Sequence, residues 1–247
     1  MNADLSSLTQ EEYVELMNAV RNGTLPEDVL REIVATAEEE IGERRERRID
    51  FYEPMPKQLA FHKSKARNRA LFKGNRAGGT EAMAAEIVWL MDGKHPYKEV
   101  YQPPIRAWMV VQQLPASIDD HTPQLEKLRE FFPRRMLLGG SWIQSWSQSS
   151  YTLNLCNKGW LRLKSHGQDD KALESEYLHY GFFDEPPPKW QWEAMRPRLS
   201  DLRGDRLLTC TVKRQEDMWV KNEIWDQAER HVDGYFAVMM STWENAY

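Results

Sequence analysis

The chain has 247 residues and a formal net charge of -5, with 41% hydrophobic and 29% charged residues. This composition predicts a soluble globular protein with one large domain, and the acidic balance restricts any nucleic-acid contact to local basic patches. No apolar stretch is long enough for a membrane span, and the N-terminus lacks the basic and apolar regions of a secretory signal.

Cysteine and histidine residues are few and scattered. Cys156 and Cys210 form no CxxC pair, and the six histidines include no HExxH-like pair. We therefore expect no zinc site, and the low cysteine content favours a reducing, intracellular setting.

Residues 1–50 are predicted to form a helical N-terminal segment. Residues 8–22 have the pattern of a short amphipathic helix. Residues 25–48 predict a longer helix with Pro26 at its start and basic residues at its end, as the helix dipole favours. The basic run at 43–50 is compatible with DNA contact, but a solvated helix end is the favoured interpretation.

Strand and helix patterns alternate from Phe51 onward. The predicted strands are 69–74, 106–112, 177–185, 206–211 and 234–240, with a hairpin in 149–165 that turns at Asn157, Lys158 and Gly159. The predicted helices are 78–90, 122–132 and 217–230. Such alternation predicts an α/β sheet that is mostly parallel and is flanked by helices.

The stretch KGNRAGGT, residues 73–80, joins the first strand to the first of these helices. Phosphate-binding loops follow G-x-x-x-x-G-K-[ST], in which backbone N–H groups and the lysine hold phosphates and the hydroxyl binds Mg²⁺. Gly78 and Thr80 match, but Lys73 takes the place of the first glycine and Gly79 the place of the lysine. Taken alone, the loop fails the pattern, and a glycine-rich turn before a helix is a common structural feature.

An acidic pair ends the apolar strand at 177–185. Asp184 stands where a carboxylate can hold Mg²⁺, and Glu185 stands where one can orient or deprotonate a water. The next strand ends in Thr209 and Thr211, which suit the sensing of a γ-phosphate but equally suit an ordinary strand. The order of loop and acidic pair indicates a nucleotide site more strongly than either motif alone.

From Phe51 to Tyr247 the succession of motifs resembles the ATPase domain of a tailed-phage terminase large subunit, the motor that packages DNA into procapsids. GNRAGGT is similar to the GNRSGKT of that family, GFFDEPP to its acidic strand end, and LLTCT to its coupling motif, usually TATP. STWENAY resembles its T-x-D-N-P-like closing segment. The resemblance implies a P-loop NTPase of the additional-strand, catalytic-glutamate type over residues 51–247.

The resemblance also implies roles for individual residues. The implied catalytic residues are Glu185 and Arg76, the latter as an arginine finger in cis; the implied Mg²⁺ ligands are Thr80 and Asp184; the implied coupling or sensor residues are Thr209, Thr211 and Arg198. The residues implied in ATP binding are Gln58, which would read the adenine, Lys73, Gly74, Asn75, Arg76, Ala77, Gly78, Gly79 and Thr80.

The implied cofactors are ATP and Mg²⁺, and the implied partners are double-stranded DNA, a portal or procapsid, a small terminase subunit and further copies of the chain in a ring. A monomer in isolation is also compatible with the sequence. The implied location is the host-cell cytoplasm, without membrane association. No carboxylate cluster for a two-metal nuclease is found, so we expect no nuclease domain in this chain.

The main departure from the family is the glycine at the lysine position. Loss of one preorganised cation typically slows a reaction by about 10²–10³-fold, so turnover is expected to be impaired unless Lys73 or Arg76 replaces the charge. The alternative function is a catalytically silent relative that binds nucleotide or DNA in an assembly role. A helicase-like ATPase is a third interpretation, disfavoured because a second motor domain is missing.

Overall fold

The computed structural model describes most of the chain from residue 47 onward. The described residues are 9–23, 25–27, 29–31, 33–35, 42, 47–117, 121–168, 176–213 and 215–244. The chain divides into two units, Met1–Arg47 and Arg48–Tyr247. Among the described helices, none has both the length and the apolar character that crossing a bilayer requires.

The described residues of the N-terminal unit are mostly helical. Helix α1 is Gln10–Arg21, which confirms the helix predicted at 8–22. Residues 27, 29–31 and 33–35 are helical too, in agreement with the first part of the second predicted helix. Most of the basic run, residues 43–46, lies outside the described residues.

The prediction that the second helix continues to Arg48 is wrong at its end. Arg48–Phe51 is a separate 3-10 turn that belongs to the second unit. The Nη2 of Arg48 donates to Glu81 Oε1 at 2.6 Å, and its guanidinium lies 5.4 Å from the ring centroid of Phe131. Arg48 therefore makes contacts within the second unit while its side chain stays exposed, and it does not end the second predicted helix.

The second unit is built on an eight-stranded sheet. Its strands are β1 Asn68–Lys73, β2 Arg106–Val111, β3 Trp146–Ser147, β4 Thr152–Asn154, β5 Trp160–Ser165, β6 Tyr180–Asp184, β7 Asp205–Cys210 and β8 Tyr235–Met240. Its helices are α2 Pro56–Lys63, α3 Gly79–Asp92, α4 Pro123–Phe131, α5 Trp142–Ser145, α6 Lys189–Ser200 and α7 Asp226–Glu229.

The strand order is β3-β4-β5-β2-β6-β7-β1-β8. All neighbouring pairs from β5 to β8 are parallel, and the two pairs that involve β4 are antiparallel. The predicted mostly parallel sheet and the predicted hairpin are thus confirmed. Strand β7 lies between β1 and β6, which is the additional strand that the resemblance implied.

The core lies on both faces of the central strands, because their side chains alternate between two layers. Leu71 and Phe182 belong to the layer that also contains apolar residues of α3 and α4. Phe72 and Phe183 belong to the opposite layer, with Trp192 of α6. Trp192 is buried there and packs against the ring of Phe183.

The helix predicted at 217–230 is correct in position but irregular in form. Gln215–Met218 is a 3-10 turn, Lys221–Trp225 is a π turn and only Asp226–Glu229 is assigned as α7. Val220 and Ile224 are both buried against the sheet, and Trp225 packs edge-on against Phe72. The irregular turns occur where these large side chains contact the sheet, a packing constraint that the helical period does not contain.

The parallel strands bring their carboxyl ends to one edge of the sheet. Asp184 at the end of β6 is paired in register with Thr209 of β7, and Lys73 at the end of β1 is paired with Met240 of β8. Parallel α/β sheets bind ligands at this edge, where loops leave the strands. The sequence-predicted loop and acidic pair therefore meet in space.

Candidate active site at the carboxyl edge of the sheet

The loop between β1 and α3 has the backbone of an anion-binding turn. Gly78 has the left-handed φ of 72° and caps α3, while its carbonyl accepts a bond from Ala82 N at 3.0 Å. Arg76 also has a positive φ, 57°. Backbone N–H groups at such a loop and at a helix N-terminus attract phosphate or carboxylate groups.

Lys73 occupies the space in which a side chain at position 79 would lie. A Cβ added to Gly79 would be 2.0 Å from Lys73 Cδ and 2.3 Å from Lys73 Cε, far closer than non-bonded carbon atoms approach. The stem of Lys73 therefore passes directly over Gly79. The glycine at the lysine position is a steric requirement for this path.

The ammonium group of Lys73 lies against the catalytic candidate Glu185. Lys73 Nζ is 2.6 Å from Glu185 Oε1 and 3.5 Å from Thr211 Oγ1, and the Lys73 side chain is only 9% exposed. Glu185 Oε2 accepts a bond from Thr211 N at 2.9 Å. The structure thus brings together three residues that lie far apart in the sequence.

Glu185 is held in an unusual backbone conformation. Its φ is 75°, and its own N–H donates to Thr209 O at 2.8 Å. A left-handed non-glycine residue costs energy and persists where its surroundings enforce it, often at functional sites. Here the bond to β7 stabilises the turn that points the carboxylate of Glu185 towards Lys73.

Asp184 is buried and surrounded by uncharged donors. Its Oδ2 accepts bonds from Thr80 Oγ1 at 3.1 Å and Gln124 Nε2 at 2.7 Å, and its Oδ1 accepts one from Thr209 Oγ1 at 2.8 Å. Burial raises the pKa of Asp184, partly offset by the charge of Lys73 and by these bonds. A buried carboxylate beside a hydroxyl on a helix N-terminus matches the oxygen ligands that Mg²⁺ prefers.

Gln58 lies behind the loop and contacts its backbone. Its Nε2 donates to Gly78 O at 3.1 Å, and its Oε1 accepts a bond from Met55 N at 2.9 Å. The side chain is buried. The structure therefore shows Gln58 as a support of the loop, and its role as adenine reader remains a prediction.

Two residues of the site were not among the predicted ones. Gln124 at the start of α4 contacts Asp184, and the TPQ sequence at a helix start was the available signal. Thr242 contacts the loop, because its Oγ1 donates to Asn75 O at 3.2 Å. A Cβ added to Gly74 would lie 2.2 Å from Thr242 Oγ1. Gly74 is thus required by the close approach of the segment after β8.

The remaining predicted residues lie at different distances from this centre. Ala77 is buried under the loop, and Asn75 and Arg76 are exposed on it. Arg198 O accepts a bond from Leu178 N, just before β6 begins. Since β6 separates this point from Asp184 by about 20 Å, the structure does not bring Arg198 to the site.

Sequence comparison identifies no relatives, whereas structural comparison does. No protein-family profile and no curated protein matches the sequence. The large terminase ATPase domain of Thermus phage P74-26 is similar over 80% of this chain and 84% of its own length, with a TM-score of 0.55 and 17% identity. The chain has the fold of a phage large-terminase ATPase domain.

Other terminase structures agree with this fold. The large terminase of another thermophilic bacteriophage is matched over 78% of this chain and 47% of its own, with a TM-score of 0.57 and 17% identity. The large terminase of bacteriophage HK97 is matched over 76% of this chain and 39% of its own, with a TM-score of 0.51 and 11% identity. A further structure of the thermophilic-phage terminase is a complex with ADP.

Proposed function

We propose that this chain is the ATPase part of a DNA-packaging motor, which hydrolyses ATP to move double-stranded DNA into a procapsid. The observation that carries the proposal is the path of Lys73 across Gly79 to Glu185. It supports the view that the loop retains its cation, supplied from the strand end instead of the helix start.

The loop and Asp184 fit Mg·ATP. The backbone N–H groups of residues 74–80 would hold the phosphates, and the N-terminus of α3 adds its partial positive charge. Thr80 and Asp184 are the residues that would hold Mg²⁺, which neutralises phosphate charge when it is bound. Gln124 and Thr209 orient Asp184 for this purpose.

Lys73 and Glu185 form an ion pair that a bound phosphate could break. A phosphate beside the Lys73 ammonium would compete with Glu185 for it, since both are anions within reach of one cation. Glu185 released from Lys73 can then accept a proton from a water. Glu185 is bonded to Thr211, and Asp184 is bonded to Thr209. These two bonds would transmit the release of Glu185 to β7 and to the residue that follows it.

The partners follow from the proposed motor. Double-stranded DNA, a portal or procapsid, a small terminase subunit and further copies of the chain in a ring would complete it in the cytoplasm of an infected cell. The exposed Arg76 would serve as the arginine finger, in the chain's own site as the resemblance implies. Residues 51–247 would form the ATPase domain, preceded by the helical segment 1–50.

The test is ATP hydrolysis by the unmodified chain and its Lys73→Met variant, which keeps the aliphatic stem over Gly79. We expect Lys73→Met to lower the rate by about 10²–10³-fold, the usual cost of one preorganised charge. Lys94→Met, a change at an exposed lysine outside the site, is the matched control. Equal rates for Lys73→Met and the unmodified chain would exclude the proposed role of Lys73.

The same assay separates the alternative function. If the unmodified chain binds nucleotide but does not hydrolyse it, with DNA and portal present, the chain is a catalytically silent relative. The Lys73–Glu185 ion pair is the feature that favours this second candidate, because it engages the catalytic carboxylate.

A further inference from the structure

Glu86 of α3 is the centre of a buried polar cluster behind the loop. Its Oε1 accepts bonds from Arg69 Nη1 at 2.7 Å and Lys98 Nζ at 2.9 Å. Its Oε2 lies 2.5 Å from His62 Nδ1 and 3.1 Å from His95 Nε2. The Glu86 carboxylate and both histidine side chains are fully buried.

The cluster has the residue types of a metal site, but its hydrogen bonds argue against one. Tyr97 N donates to His95 Nδ1 at 3.2 Å, so Nδ1 is unprotonated and Nε2 carries the hydrogen that faces Glu86. A metal bound to Nε2 of His95 would require the hydrogen to be on Nδ1, where it would face the N–H of Tyr97. Arg69 and Lys98 already neutralise Glu86, so a cation would also meet two positive charges.

The cluster instead continues towards the phosphate-binding loop. His62 Nε2 lies 3.2 Å from the Tyr52 hydroxyl, and the same hydroxyl lies 3.2 Å from Gln58 Oε1. Gln58 in turn donates to Gly78 O. These contacts connect Glu86 through His62, Tyr52 and Gln58 to Gly78, with the single hydroxyl hydrogen of Tyr52 shared between two acceptors, His62 Nε2 and Gln58 Oε1.

The orientation of the Gln58 amide is determined by its neighbours. Met55 N can only donate, which places Oε1 next to it, and Gly78 O can only accept, which places Nε2 next to the loop. The Tyr52 hydroxyl is the remaining polar group at Oε1. Burial raises the pKa of Tyr52, so the phenol keeps its one proton and can donate it to Gln58 Oε1 or to His62 Nε2.

We propose that Tyr52 and His62 are positioning residues for the phosphate-binding loop, which they act on through Gln58. The Gly78 carbonyl caps α3 and is the point at which the loop joins the helix, so its position sets the directions of the neighbouring N–H groups. Space at this point is tight, because a Cβ on Gly78 would lie 2.9 Å from Gln58 Nε2. A shift of the Gln58 side chain would therefore displace the backbone of the loop at Gly78.

The test removes one oxygen atom from this chain of bonds. The variant is Tyr52→Phe, and the control is Tyr97→Phe. Tyr52 and Tyr97 both pack on Trp89, but the contacts of Tyr97 among the described residues are made by its ring and its backbone N–H. Two readouts are compared: the amide hydrogen exchange of peptides covering residues 74–80, and the Kd of Mg·ADP by calorimetry. The first needs no ligand; the second rests on the proposed function.

We expect Tyr52→Phe to speed exchange in residues 74–80 and to raise the Kd by about threefold to tenfold, the effect of one neutral hydrogen bond. Tyr97→Phe should change neither. In a Gln58→Ala background, Tyr52→Phe should add less than about twofold, since its effect passes through Gln58. His62→Gln should resemble Tyr52→Phe in the loop peptides.

Two results would overturn the inference. One is loop exchange in Tyr52→Phe that equals that of Tyr97→Phe. The other is an effect of Tyr52→Phe that is as large without Gln58 as with it, which would show general destabilisation. If the unmodified chain binds no nucleotide, the proposed function fails, and the exchange of residues 74–80 still decides this inference by itself.

Discussion

Asp184 and Glu86 are both buried carboxylates, and their surroundings differ in charge. Asp184 receives bonds from two hydroxyls and an amide, whereas Glu86 receives bonds from Arg69, Lys98 and two histidines. Burial raises the pKa of Asp184. Burial also acts on Glu86 in that direction, but Arg69 and its other partners outweigh it and hold the pKa of Glu86 well below its usual value.

This contrast separates a carboxylate that can bind a metal ion from one with a structural role. Glu86 has its charge neutralised by the protein, so the cluster is complete as it stands. Asp184 has hydrogen bonds but no direct cationic partner among the described residues, so a metal ion would complete its environment. Burial alone does not separate the two, whereas the charge of the donors does.

Glu86→Gln is expected to change the free energy of unfolding more than any other substitution in this pair of sites. The change leaves Arg69 and Lys98 buried without their counter-charge, and breaking a buried pair in this way costs about 3–5 kcal/mol of unfolding free energy. Urea unfolding followed by circular dichroism measures it. A loss below about 1 kcal/mol would mean that Glu86 is not the counter-charge of this cluster.

Asp184→Asn should produce the opposite result. We expect ATP hydrolysis to fall by about 10²–10³-fold, while the unfolding free energy changes by less than about 1 kcal/mol, because the neutral amide needs no counter-charge. Steady-state hydrolysis and urea unfolding of the same preparation provide both numbers. A destabilisation as large as that of Glu86→Gln would remove the distinction between the two carboxylates.

Gly79→Ala tests the path of Lys73 with a single methyl group. The new Cβ must displace the Lys73 stem, and such overpacking typically costs about 1–3 kcal/mol. Because the displaced group is the Lys73 ammonium, we expect the rate of ATP hydrolysis to fall about tenfold. Gly79→Lys, which restores the family pattern, should also lower the rate for the same reason. A faster Gly79→Lys enzyme would show that Lys73 does not replace the missing lysine.

The smallest effect concerns the pH dependence of stability. Burial lowers the pKa of His62, although Glu86 opposes this, so the unfolded chain binds a proton at His62 more readily than the folded one. The contribution of His62 to the free energy of unfolding is therefore fully present above the unfolded-state pKa of about 6.5 and declines as the pH falls below that value.

Between about pH 7.5 and pH 5.5 we expect the free energy of unfolding to decline by no more than the about 1.4 kcal/mol per pH unit that one proton allows, and this contribution to be absent in His62→Gln. Asp205 acts in the opposite sense, because burial raises its pKa to about 6 and its stabilisation is lost as the pH rises through that value. Comparing His62→Gln with the unmodified chain cancels the Asp205 contribution. An identical pH dependence in the two proteins would contradict the assignment.

The fold and much of the candidate site could be predicted from the sequence, because both depend on local patterns. Alternating apolar strands and helices predicted the mostly parallel sheet, and the ends of those strands marked Lys73, Asp184, Thr209 and Glu185. Parallel strands place such ends at one edge, so the sequence order of the motifs was enough to predict that they meet.

The contacts between these residues could be read only from the folded structure. The sequence left the replacement of the lysine open between Lys73 and Arg76; the structure shows the Lys73 stem over Gly79 and Arg76 exposed on the loop. The contacts of Gln124, Thr242 and Tyr52 join segments far apart in the chain, and no local period encodes them. They depend on side-chain directions and close approaches of a few ångströms, which arise only when the sheet is assembled.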